Sequence, residues 1–183
     1  MSATRMLVLG IIRGAGPAHG YKVRAELMGW NAQEWARINP GSIYHAIRKA
    51  AADGLLVEAP DDAREAGPDR MRYAVTEAGE RELRELVRAG LRVTRDPFML
   101  NAAVAMLPVL ERAEAVAALD ERLAELRTAV AELESWGDRT PYESPEHVIE
   151  QVRLWLAQVR ADIDWSSGLR RRLLDGAYRM ADD

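Results

Sequence analysis

Apolar residues crowd the start of the chain. Met6, Leu7, Val8, Leu9, Ile11 and Ile12, interrupted only by Gly10, predict a first helix from about Thr4 to Arg13 that must be buried almost all round. Gly14 to Pro17 stop it. In the segment 19–30, Tyr21, Val23, Leu27 and Met28 stand near helical spacing, which predicts a second helix ending at Gly29. Asn39-Pro40 is a helix start, because Asn caps free backbone donors and Pro tolerates the first helical position. Along the third helix, residues 40–53, a turn of 100° per residue puts Ile43, Ile47, Ala50 and Ala51 on one face. Gly41, Ser42, His45, Arg48 and Lys49 fall opposite, so one face is core and the other offers hydrogen-bonding groups.

After Asp53-Gly54 the period changes. LLVEA, a polar loop DDAREAGPD, and RMRYAVT, in which Met71, Tyr73 and Val75 alternate with Arg70 and Arg72, predict two short strands joined as a hairpin. ERELRELVRAGL is helical again, with Thr76-Glu77 near its cap. A short apolar helix over 97–107 is closed by Pro108. Val116, Leu119, Leu123, Leu126, Val130 and Leu133 then repeat at alternating spacings of three and four, a heptad seam that requires a partner. WGDRTPYES breaks this helix, and Ile149, Val152, Leu156, Val159 and Ile163 resume the spacing after Ser144-Pro145. The expected fold is mainly α with a small β-hairpin wing: a winged helix-turn-helix domain over 1–91 and an antiparallel helical hairpin over 96–183. In that arrangement the third helix enters the major groove of DNA and the hairpin tip reaches the neighbouring backbone.

Composition adds exclusions. The 48% apolar content is enough for a core, and 30% charged residues mark an ordinary globular chain. The absence of cysteine removes disulfides and thiolate chemistry and suits a reducing cytoplasm. His19, His45 and His147 are far apart, and His147 with Glu150 supplies too few ligands, so no metal or other cofactor is expected. MLVLGII, behind Arg5, superficially resembles a secretory signal, but it is ended by Arg13, shows no cleavage site and is too short to span a bilayer, so a cytoplasmic location without membrane contact is expected. The net charge of −4 is unevenly shared. Residues 1–95 hold 15 Lys and Arg against 12 Asp and Glu, a net of +3, and residues 96–183 hold 10 against 17, a net of −7. The asymmetry suggests two regions with different partners, and any phosphate contact must come from a local patch. The glycines at 14, 16 and 20 form no nucleotide fingerprint, and no set of Ser, His and Asp or isolated carboxylate pair points to an enzyme.

PAHGYKV at 17–23, PGSIYHAIRKAAADGLL at 40–56 and GPDRMRYAVTEAGERELREL at 67–86 resemble, in order and spacing, the PadR family of transcriptional regulators. GSIY beside HGY is what favours this family over MarR-type winged helices, which carry similar wing strings. The helical second half resembles the dimerisation region of the longer PadR proteins by layout. Ile47 and Ala50 stand where the family usually has Leu, which implies a smaller contact between helix and core. The resemblance implies a homodimeric repressor on a pseudo-palindromic operator, with double-stranded DNA as partner. Expected DNA contacts are Tyr21, Ser42, Tyr44, His45, Arg48 and Lys49, with Arg64, Arg70 and Arg72 from the wing. Resemblance to a family that responds to phenolic or drug-like compounds implies a small aromatic or hydrophobic effector, for which Phe98, Met99, Trp155 and Trp165, with Trp136, are the candidate lining. Two alternatives stay open: a winged-helix module that docks a protein, and a MarR-type regulator, disfavoured because no long helix precedes the first winged-helix segment.

Overall fold

Helix α1 (Ala3–Ala15) begins at Ser2, whose hydroxyl accepts from the Arg5 amide, and it buries Met6, Leu7, Val8, Leu9, Ile11 and Ile12. The rest of the computed structural model, which describes residues 2–59, 71–136 and 145–183, is arranged to cover this helix. A two-residue strand β1 (Ala18–His19) leads into α2 (Gly20–Gly29), a single turn α3 (Ala32–Trp35), and α4 (Pro40–Ala52). Strands β2 (Leu56–Ala59) and β3 (Arg72–Val75) follow, then α5 (Glu77–Arg92), α6 (Pro97–Ala105), α7 (Arg112–Ser135) and α8 (Ile149–Leu174). The wing tip, with Arg64 and Arg70, lies outside the described residues, as does the segment 137–144.

The expected hairpin is part of a three-stranded antiparallel sheet of order β1-β3-β2. Ala18 pairs with Tyr73 and His19 with Arg72 on one side of β3, while Leu56 pairs with Val75 and Ala59 with Arg72 on the other. Two residues are too few to show a period, so β1 left no strand signal in the sequence. Its pairing fixes the wing to the start of α2. Single-turn α3 was likewise not foreseen: Ala32, Ala36 and Ile38 are buried there, but four helical residues give no repeat.

The string VTEAG is structural. Thr76 caps α5 by accepting from the Gly79 amide at 3.0 Å, and its hydroxyl donates to the Gly54 carbonyl at 2.8 Å. The Thr76 amide donates to the Leu55 carbonyl at 3.1 Å. A Cβ at Gly79 would strike the Leu55 carbonyl oxygen and stand 2.7 Å from Val75 Cγ1, so only glycine lets α5 lie on the β2 turn.

Helix α5 carries three arginines at four-residue spacing toward α7. Arg88 pairs with Glu114 at 2.8 Å and Arg92 with Glu121 at 2.8 Å, with Arg84 3.9 Å from Glu111. Near the N-terminus Arg13 pairs with Glu80 at 2.8 Å, and Arg5 pairs with Asp53 at 2.7 Å and Glu82 at 3.4 Å. Much of the charge contrast between the halves is therefore spent inside the chain. Each such exposed pair contributes only about 0–1 kcal/mol, but together they set which turn of α5 faces which turn of α7.

Helices α7 and α8 pack antiparallel, as the ion pairs Arg170–Asp120 and Arg160–Glu134 require. Leu119, Leu123, Leu126 and Val152 of the two expected seams are buried, while Val130, Leu133, Leu156, Val159 and Ile163 are half-buried. The seams thus cover each other in one chain. Between them lies Arg122, 1% exposed, whose Nε donates to Ser166 Oγ at 3.0 Å and whose Nη2 stands 3.3 Å from Asp162. Burial lowers its pKa, and Asp162 opposes that shift. Its Nη1 has no hydrogen-bond partner among the described residues.

After α8 the chain turns back, and Arg112 gathers it. Its guanidinium donates to the Leu173 carbonyl at 2.8 Å and to Asp183 at 2.6 Å, while its amide donates to Asp182 at 3.0 Å. The Met180 amide and Arg112 hold the Asp183 carboxyl below the usual carboxylate range.

Substituting Gly79→Ala is expected to destabilise the fold by about 1–3 kcal/mol despite the better helix propensity of alanine. Gly14→Ala, where an added Cβ meets nothing within 4 Å, serves as the control and should be neutral or mildly stabilising. Urea midpoints of the two variants check this; equal midpoints would show that the α5 contact is not tight.

Candidate nucleic-acid interface

The exposed face of α4 is built by its own sequence. Asn39 caps the helix, its Oδ1 accepting from the Gly41 amide at 2.9 Å, and Pro40 opens the first turn. Ile43, Ile47 and Ala50 are buried against the core. That burial fixes the rotation of the helix, so Tyr44, His45, Arg48 and Lys49 are turned to solvent.

Each expected contact residue on α4 has a distinct setting. The Ser42 hydroxyl donates to the Asn39 carbonyl at 2.7 Å, which occupies its proton and leaves its oxygen as an acceptor. His45 and Arg48 are exposed, and Arg48 makes no ion pair among the described residues. Lys49 Nζ stands 3.6 Å from Asp53, which also binds Arg5. The acid at the end of α4 thus holds two cations together.

Tyr44 is 37% exposed, and its ring lies on Gly20. A Cβ on Gly20 would stand 3.0 Å from Tyr44 Cε1 and 3.2 Å from Cδ1. The glycine of HGY and the tyrosine of GSIY are therefore two halves of one contact. Tyr21, 59% exposed on the first turn of α2, stacks on His19 with ring centroids 5.3 Å apart. Lys22 and Arg24 are exposed beside it. Sequence reasoning passed over these two cations although they sit within the HGYKVR string.

In the wing, Arg72 points inward as well as outward: Nη2 donates to the Pro17 carbonyl at 3.1 Å and Nε to the same oxygen at 3.3 Å. These two bonds tie β3 to the α1–β1 turn. Arg64 and Arg70 lie outside the described residues.

The candidate effector residues occupy different settings. Met99 is 3% exposed in the main core. Phe98 is half-buried beneath the Arg37 guanidinium, 4.1 Å from its ring centroid. Trp155 and Trp165 are exposed on α8, about 15 Å apart along the helix axis, and Trp136 is half-buried at the end of α7. Among the described residues no helix is long and apolar enough to cross a membrane.

Helices α1, α2 and α4 with a three-stranded antiparallel sheet, and a polar, cationic face on α4, define a winged helix-turn-helix protein. Residues 8–85 match the model of the transcriptional regulator PadR-like family. No curated protein sequence matches the chain. Solved structures that align with it include Bacillus subtilis PadR in complex with operator DNA, at 19% identity over 92% of this chain and 98% of that one, with a TM-score of 0.39. The same protein in complex with p-coumaric acid aligns at 18% identity over 93% of this chain and 98% of that one, with a TM-score of 0.38.

Replacing Gly20 by Ala should push the Tyr44 ring outward by a few tenths of an ångström while changing stability by less than about 1 kcal/mol, since the ring is free to move toward solvent. Tyr44 ring-proton chemical shifts check this, and unchanged shifts would refute the contact.

Proposed function

We propose that this transcriptional regulator is a repressor that binds a pseudo-palindromic operator as a homodimer, with residues 1–91 reading DNA and residues 96–183 joining the copies. The observation that carries the reading is α4: in a chain of net charge −4, Ser42, His45, Arg48 and Lys49 share its exposed face, opposite buried Ile43, Ile47 and Ala50. A hydroxyl, an imidazole and two cations at successive turns can meet base edges and phosphates in a major groove. Tyr21, Tyr44, Lys22 and Arg24 flank it, and the reading includes Arg64, Arg70 and Arg72 of the wing sequence as further contacts.

Dimerisation is supported by a face that α7 does not cover. Leu154, Gln158, Ala161 and Trp165 follow one another at spacings of four, three and four on α8, and Leu154 is 55% and Trp165 37% exposed. A second copy of the same helix would bury this stripe, and two linked half-sites would raise the modest affinity of one. Release by a small aromatic or hydrophobic effector completes the reading and rests on the family.

The test begins with a duplex that the protein enriches from a randomised DNA pool. Its affinity should fall steeply with salt, and Arg48→Ala or Lys49→Ala should each lower the slope of log affinity against log salt by about one. An absence of enrichment would redirect the α4 surface to a protein partner. In sedimentation equilibrium the protein should be a dimer, and a Leu154→Glu, Trp165→Glu variant a folded monomer; a variant that stays dimeric would move the interface elsewhere.

A further inference from the structure

The chain enters α4 through a loop in an unusual conformation. Asn31, with φ of 55°, and Arg37, with φ of 51°, are the non-glycine residues in the left-handed region among those described. Asparagine adopts that region readily, but an arginine does so only where its surroundings impose it. At Arg37 the surroundings come from the second half of the chain. Its guanidinium lies 4.1 Å above the Phe98 ring centroid, and Asn101 Nδ2 donates to the Trp35 carbonyl at 3.0 Å. Phe98 and Asn101 are neighbours one turn apart on α6.

The loop also has anchors of its own: Ala32 and Ala36 are buried, and the Ala36 and Ile38 amides donate to the Ala32 carbonyl at 3.0 and 3.3 Å. Trp35 Nε1 donates to the Trp30 carbonyl at 2.7 Å, which closes the loop on itself, and Ile38 is buried. Asn39, the next residue, is the cap of α4. Helix α6 is firmly bedded. Asp96 caps it through the Met99 amide at 3.0 Å, and Met99, Ala102 and Ala103 are buried. Ala103 Cβ sits 2.7 Å from where a Cβ on Gly90 would be, so α6 is in close contact with α5. From its far end the chain runs through the turn Leu107–Val109 directly into α7.

We propose that Phe98 and Asn101 are positioning residues for α4: by holding residues 35–37, with Arg37 in the left-handed region, they set where the Asn39 cap lies and how Ser42, His45 and Lys49 are presented. A displacement of the helical arm reaches α4 through these two contacts, because α6 is the segment shared by the arm and the α4 loop. The inference rests on the reading of α4 as the DNA-binding helix, and its consequence for the free protein can be read separately.

The test uses the full chain carrying Phe98→Leu with Asn101→Ala, and Phe98→Tyr as the conservative partner that keeps an aromatic face for Arg37. In hydrogen exchange of the free protein, the double variant should lose protection at the amides of 31–42 by about tenfold, with α5 and α7 unchanged. Its affinity for the duplex enriched by the wild-type protein should fall about tenfold with the salt slope unaltered, since neither side chain touches a phosphate. Phe98→Tyr should behave as wild type in both measurements. Unchanged protection over 31–42, a loss spread over the whole core, or a loss shared by Phe98→Tyr would each overturn the proposal. Failure of the wild-type protein to enrich any duplex would sink the DNA reading instead, and the exchange pattern would still decide whether α6 holds the loop.

Discussion

Over Met6–Ile12, helix α1 presents hydrocarbon on every side, and four of its residues are fully excluded from solvent. A helix of this kind is stable only when surrounded, each large side chain contributing about 1.5–3 kcal/mol on full burial. The winged-helix elements α2, α4, α5 and β3 enclose part of it, and α6, from the second half, closes the remainder. The common core extends from α1 through α5 and α6 to Leu169 and Leu173 of α8. Covering one apolar helix is thus what brings the two halves of the chain against each other.

Close backbone approach follows from that packing. The glycines that matter stand where two segments touch: Gly79 under the Leu55 carbonyl, Gly20 under the Tyr44 ring, and Gly90 against Ala103. Each allows a contact that a methyl group would hold apart. Charge then selects the register. Arg84, Arg88 and Arg92 meet acids of α7, and the buried Arg122 meets Asp162 and Ser166 of α8, so sliding either helix by a turn would strand a cation. On α2 and α4, Lys22, Arg24 and Arg48 are exposed outside these pairings.

Much of this was legible in the residues. The caps at Asn39 and Thr76 are local chemistry, and the faces of α4 follow from helical spacing alone, which is why Ile43, Ile47 and Ala50 were assigned to the core and His45, Arg48 and Lys49 to solvent. The strings HGY, GSIY and the wing motif carried the resemblance to the family whose model matches residues 8–85. Elements below the length of a period, β1 and α3, were not legible, because a pattern of two or four residues carries no repeat. Nor was the use of the acidic second half: a charge count cannot distinguish acids that face a partner from acids that face Arg88 and Arg92 in the same chain.

The sequence by itself determined where the longer helices lie, which face of each is apolar, and which polar groups α4 turns outward, since these depend on neighbours within a few residues. Tertiary structure alone decided that the two heptad seams close on each other within the chain, that Arg72 is tied to Pro17, and that Phe98 lies under Arg37. Those contacts join residues about 26 to 60 positions apart, and local spacing carries no information about which distant turn arrives beside a given side chain. What brings them together is the burial of α1, a demand of the whole chain rather than of any segment in it.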